Sequence, residues 1–231
     1  MSAGIDEGTS IMIERNVRYF EKPGKENTHA TIEAVRDYLK ENNEVAALVV
    51  ASVSGQTALK VKKALPEISI SVVCVTGSPS WQNYPEHEFP LIPATTRSEL
   101  EKAGIAIIDS VPSSLSDTIE FSIARYGFRS PTWIFIETLL AVGGYGLKAA
   151  VESVLMATDG AYIPPFREVL AIAGTEKGAD TAIVARSTFS STVFSGDSQK
   201  RFVINEILAT PRNKIFHRSI EFGEWNVEET R

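Results

Sequence analysis

Short apolar runs alternate with helix-period segments along much of this chain, and the links between them are brief. VAALVV (45–50), SISVVCVT (69–76) and IAIID (105–109) are almost unbroken in apolar residues, as strands covered on both faces must be. Between them, ALKVKKAL (58–65) turns Leu59, Val61 and Leu65 inward and its lysines outward, and SELEKAG reads as a short helix with Ser98 as cap. Upstream, VRYF (17–20) reads as a strand. THATIEAVRDYLKEN then carries Ile32, Val35 and Leu39 at helical spacing, with Asn27 or Thr28 as N-cap. This order predicts a parallel sheet with helices on both faces.

The second half breaks the alternation. GSPSWQNYPEHEFPLIPAT is too rich in proline for regular structure. Ser130-Pro131 is a cap followed by a first-turn proline, after which Trp133, Ile136 and Leu140 fall on one helical face. Gly144-x-Gly146-x-x-Ala149 has the outline of a dinucleotide fingerprint. The helix start before it and the missing acidic residue downstream argue against that use. The spacing predicts instead two helices meeting at Gly143-Gly144. EVLAIAG (168–174) and TAIVAR (181–186) are strands close enough for a hairpin, and FVINEILAT (202–210) is read as an edge strand. Residues 1–16 are expected to be an arm, 17–212 a single domain and 213–231 a tail.

Composition removes several functions. The net charge of -6, with no basic block along the chain, argues against non-specific nucleic-acid binding, which needs cationic surface. A single cysteine, Cys74, excludes internal disulfides and multi-cysteine metal sites, and its place in a strand makes it core. Glu86-His87-Glu88 is too local for a metal cage. No apolar run approaches the roughly 20 residues of a membrane span, and MSAGIDEGTSIMIERN lacks the pattern of a signal peptide. A soluble, cytoplasmic protein is expected, with no nucleic acid or membrane as partner.

In parallel sheets, ligands sit beyond the carboxyl ends of the strands. The loops expected there are EKPGKENT, ASVSGQT, VTG and IDS. In the second of these, Ser52, Val53, Ser54, Gly55, Gln56 and Thr57 lie between a buried strand and a helix start. Unpaired helix N–H groups, three hydroxyls and a glycine there suit a phosphate, although a serine cap and a turn would use the same residues. A further polar loop, Gly174-Thr175-Glu176-Lys177-Gly178-Ala179-Asp180-Thr181, offers small donors and a lysine without the order of a Walker loop. Serine-hydrolase chemistry is disfavoured, because neither Ser52 nor Ser54 has the flanking small residues of a nucleophile elbow and the chain holds only three histidines.

YFEKPGKENT, VVASVSGQTAL, GLKAAVESVLMATDG and IAGTEKGADTAIVA together resemble, in order, a family of small stand-alone proteins related to the C-terminal domain of pyruvate kinase. The resemblance covers roughly residues 17 to 212. It implies a three-layer α/β/α sandwich on a mostly parallel sheet with an antiparallel strand. It also implies that Ser52–Thr57 holds a ligand phosphate and that Gly174–Thr181 closes over the same ligand. Asn27, Thr28, Thr76 and Gly77, on neighbouring loops, complete the expected set. Stand-alone relatives are associated with flavin mononucleotide (FMN) and have no agreed reaction. A flavin-dependent oxidoreductase and a non-catalytic sensor of a phosphorylated metabolite both fit this pattern, as does a homo-oligomer. The catalytic barrel of pyruvate kinase is missing, so kinase activity is not expected.

Overall fold

The computed structural model describes residues 12–83, 88–109, 113–116, 118–124 and 126–214. Most of the N-terminal arm and of the tail, and Glu86 and His87, lie outside them. Seven strands form one mixed sheet: β1 (Arg18–Phe20), β2 (Leu48–Ala51), β3 (Val72–Val75), β4 (Ala106–Ile108), β5 (Glu168–Ala173), β6 (Thr181–Arg186) and β7 (Val203–Pro211). Their order across the sheet is β1-β7-β6-β5-β2-β3-β4. Only β6 runs against the rest, pairing antiparallel with β5 and β7. The fold is therefore α/β, with a mostly parallel sheet.

Side chains alternate across each strand and so feed two cores. On one face Leu48, Val50, Cys74, Leu170 and Ile172 pack with Val35 and Leu39 of α1 (Thr28–Glu41), Val61 of α2 (Gln56–Ala64) and Leu100 of α3 (Ala94–Lys102). A short α4 (Ile119–Ala124) precedes α5 (Pro131–Asp159), and α5 covers the other face. There Val49, Val73, Val169 and Ile183 meet Ile136, Leu140, Val151 and Leu155. Helices lie on both sides, in three layers.

Ser130 caps α5 as its sequence predicts, its hydroxyl accepting from Trp133 N at 3.2 Å with Pro131 in the first turn. Trp133, Ile136 and Leu140 are buried. Gly144 breaks the helix with φ 75° and ψ −177°, so two helical halves meet there. By length and composition α5 could cross a membrane, but the break divides it and its second half packs on the sheet.

Three expectations need correction. FVINEILAT is not an edge: β7 lies between β6 and β1, with Arg18 opposite Ala209. Ser98 sits inside α3, which starts at Ala94 after Pro93, whose φ of −56° leads into the first turn. Neither Asn27 nor Thr28 caps α1 with its side chain. Asn27 Nδ2 donates to Lys22 O (2.8 Å), and Thr28 Oγ1 donates to Lys25 O (2.6 Å) and accepts from Ala179 N (2.9 Å). A local carbonyl holds the Asn27 side chain, and a distant amide, Ala179 N, holds that of Thr28. In the proline-rich stretch, Pro79–Asn83 forms a single 3₁₀ turn.

Candidate functional site at the carboxyl edge of the sheet

β1, β2, β3, β4 and β5 point the same way, so the segments that follow them gather at one edge. The β5–β6 hairpin turns back at that edge as well. From β2 the chain adds strands in one direction (β3, β4), and from β5 in the other (β6, β7). The order reverses between β2 and β5, which pair directly, Leu48 with Leu170 and Val50 with Ile172. Crevices form where strand order reverses in this way. Paired strands lie about 4.8 Å apart, so the Ser52–Thr57 and Gly174–Thr181 loops leave the sheet side by side.

Ser52 organises the first loop. Its N–H donates to Val75 O (2.8 Å), its carbonyl accepts from Gly55 N (3.1 Å) and its hydroxyl accepts from Thr57 N (3.1 Å). The hydroxyl oxygen of this serine therefore ties down the first turn of α2. Gly55 has φ 79°, and a Cβ there would stand 2.7 Å from Leu100 Cδ1 and 3.0 Å from Thr96 Cγ2. Its missing side chain serves the turn and the packing of α3. Thr76 Oγ1 donates to Val53 O (2.5 Å), and Gln56 Nε2 donates to Thr96 Oγ1 (3.2 Å).

The N–H groups of Val53, Ser54 and Gln56, with the hydroxyls of Ser54 and Thr57, have no hydrogen-bond partner among the described residues. Ser54 and Gln56 are exposed. These donors surround the positive end of a nine-residue helix. That arrangement can receive an anion.

The second loop is tied inward. Asp180 is fully buried; its Oδ2 accepts from Gly24 N and Thr175 N, both at 3.1 Å, and its Oδ1 from Thr181 Oγ1 at 2.9 Å. Asp180 and Thr181 thus fix the loop, and Thr175 and Ala179 are buried beside them. Gly178 has φ 75°, and a Cβ on it would meet Thr28 Oγ1 at 2.5 Å and Lys25 Cα at 2.7 Å. Gly174 would strike Gly178 O at 2.5 Å, so it closes the turn. Lys177 is exposed at the tip. Thr28 thus belongs to this second loop, held by Ala179 N, while Asn27 turns back to its own segment.

The same edge holds further residues outside the expected site set. Lys25 and Gly24 pack on the second loop, and Trp81 covers Gly77, where a Cβ would lie 2.6 Å from the indole. Arg97 pairs with Asp109 after β4. Lys214 donates to Thr210 Oγ1 (3.0 Å); burial pushes its ammonium pKa down, and the nearby Asp180 carboxylate acts the other way. Of these, the segments EKPGKENT and IDS already place Gly24, Lys25 and Asp109 at this edge in the sequence, where Trp81 is also a candidate wall of the pocket. No hydrogen bond joins the 52–57 and 174–181 loops among the described residues; strand adjacency alone relates them. A cleft of about 840 Å³ opens at the opposite edge, between the last turns of α1 and α2 and the entries to β2 and β3. No protein-family model matches the chain.

Proposed function

We propose that the carboxyl edge binds FMN through its phosphate, and that this chain belongs with the stand-alone relatives of the pyruvate kinase C-terminal domain. The direct pairing of β2 with β5 carries this reading, because it sets the two polar loops beside each other where the strand order reverses. The phosphate sits on the N–H groups of Val53, Ser54 and Gln56 and the hydroxyls of Ser54 and Thr57. The tip of the second loop, Thr175 to Gly178, lies over the remainder of the ligand, and Thr76 holds the first loop through Val53 O. Bound FMN supplies redox chemistry of its own; the chain supplies the anchor and the orientation. The ligand is a small phosphorylated molecule, the protein works in the cytoplasm, and self-association uses exposed apolar side chains such as Ile134 and Val142 on α5.

A second reading, a non-catalytic sensor of a phosphorylated metabolite, is favoured by one feature. Asp180 couples the second loop to the start of α1 through Gly24, so an occupant of the loop also acts on that helix. Two experiments separate the readings. The first is titration of the purified protein with FMN, riboflavin and sugar phosphates, with melting temperature as readout. FMN should stabilise it, and riboflavin much less. The second is anaerobic addition of reduced nicotinamide cofactor to the flavin-loaded protein, followed in the visible spectrum. Bleaching indicates an oxidoreductase, and an unchanged spectrum indicates a sensor. Stabilisation by a sugar phosphate and not by FMN overturns the flavin assignment.

A further inference from the structure

The cleft at the amino edge has the volume of a small-molecule site and a charge that runs against the rest of the protein. The chain carries a net −6, yet Arg36, Lys40 and Lys63 line this cleft with one lining carboxylate, Glu67. Asp37 pairs with Lys40 (3.8 Å) and Arg36 (4.0 Å) from beside it, and Lys63 makes no ion pair among the described residues. Beneath the cations lie Leu39, Val45, Leu65 and Ile70. Leu39 and Leu65 are buried, and Val45 and Ile70 are half-buried. The result is an apolar floor under a basic rim, on a protein whose overall field would repel anions.

Lysines at helix ends usually offset the partial negative charge of the last carbonyls, and that explanation covers Lys40 and Lys63 in part. One carbonyl at each of these helix ends, however, is already engaged. Tyr38 O accepts from both Asn42 N (3.0 Å) and Asn42 Nδ2 (2.8 Å), and Lys62 O accepts from Leu65 N (3.3 Å). Arg36 lies more than a turn before the end of α1. Its Nη2 reaches Glu33 at 3.3 Å, while its Nε is shielded from solvent, makes no hydrogen bond and has Asp37 Oδ1 as an ion-pair neighbour at 4.0 Å. A shielded guanidinium N–H without a hydrogen bond is costly, and an acceptor brought within hydrogen-bond distance by a ligand would satisfy it.

We propose that this amino-edge cleft is a second ligand site, for a small amphipathic anion: a carboxylate on an apolar body. The carboxylate meets Arg36, Lys40 and Lys63, and the apolar body lies on Leu65 and Ile70. The site is independent of the carboxyl-edge loops.

The test uses the full chain and three probes of equal length, octanoate, octanol and octylammonium, titrated by calorimetry. Octanoate should bind saturably, octanol about tenfold more weakly or worse, and octylammonium not at all. Lys63→Glu and Lys40→Glu should each lower octanoate affinity about tenfold, the scale of a partly desolvated charge contact. Lys60→Glu, on the same helix as Lys63 but outside the cleft, makes the same change in net charge and should leave affinity within about twofold. Circular dichroism checks that each exposed-lysine variant is folded. Octanol binding as tightly as octanoate, an unchanged affinity in Lys63→Glu, or no saturable octanoate binding would each overturn the proposal.

Discussion

The amide of Gly24 donates to Oδ2 of Asp180 at 3.1 Å, joining residues 156 positions apart in the chain. The same oxygen accepts from Thr175 N, so one carboxylate fastens the loop after β1 to the loop after β5. Asp180→Ala removes the acceptor and leaves two amides and the Thr181 hydroxyl unpaired in a buried place. We expect a loss of about 2–4 kcal/mol in urea unfolding, with faster proteolysis within 174–181. Wild-type stability in this variant would contradict the role.

Gly55 is a poor place to probe ligand binding. Gly55→Asp forces a side chain against Leu100 at φ 79° and should cost about 2 kcal/mol or more of stability from strain and overpacking. Ser54→Glu, by contrast, alters an exposed side chain and should melt within about 0.5 kcal/mol of the wild type. Thermal melts of the two variants check the difference.

Lys148 and Glu152 on α5 form a largely buried ion pair, 14% and 13% exposed, with Ser113 and Ser116 completing the cluster. Burial alone would raise the Glu152 carboxyl pKa. The charge of Lys148 and its hydrogen bond, with those from Ser113 and Ser116, outweigh burial and hold it below the usual range. A carboxyl depressed in the folded state contributes stability in full above its unfolded pKa and loses it as pH falls through the folded value. Wild-type stability should therefore fall on the acid side of the ordinary carboxylate range. Glu152→Gln should flatten that fall while lowering stability at neutral pH. Lys148→Met, which strands the carboxylate, should cost about 3 kcal/mol or more at neutral pH. Urea unfolding across pH measures each.

Cys74 is fully buried in β3, and burial pushes its thiol up to about 12. It should react with a thiol reagent only as fast as the sheet opens. The labelling rate should therefore rise with urea in step with unfolding. Labelling at the rate of a free thiol in native buffer would contradict the buried placement.

Elements with a local cause were legible in the sequence: the alternation that gives β2, α2 and β3, the Ser130-Pro131 start of α5, and its break at Gly144. Features set by distant partners were not. Nothing near β7 announces that three residues almost two hundred positions earlier cover its outer side. Thr28 looks like a cap until Ala179 N arrives to use its hydroxyl. The glycine and serines of the first loop were readable as a turn at the right edge. That the Ser52 hydroxyl would accept from Thr57 N, and that Gly55 would pack against Leu100, depends on how α2 and α3 pack. The direct pairing of β2 with β5 is likewise a product of topology, since paired Leu48 and Leu170 are 122 positions apart in sequence and neighbours in the sheet.

The central claim is that the Ser52–Thr57 loop holds a ligand phosphate, and the most direct measurement is FMN affinity of wild type and Ser54→Glu by flavin fluorescence. The claim predicts saturable binding by the wild type and a loss of about a hundredfold or more in the variant, with the fold intact, since a carboxylate then faces the phosphate among the same donors. Equal FMN affinity in the two proteins would contradict it.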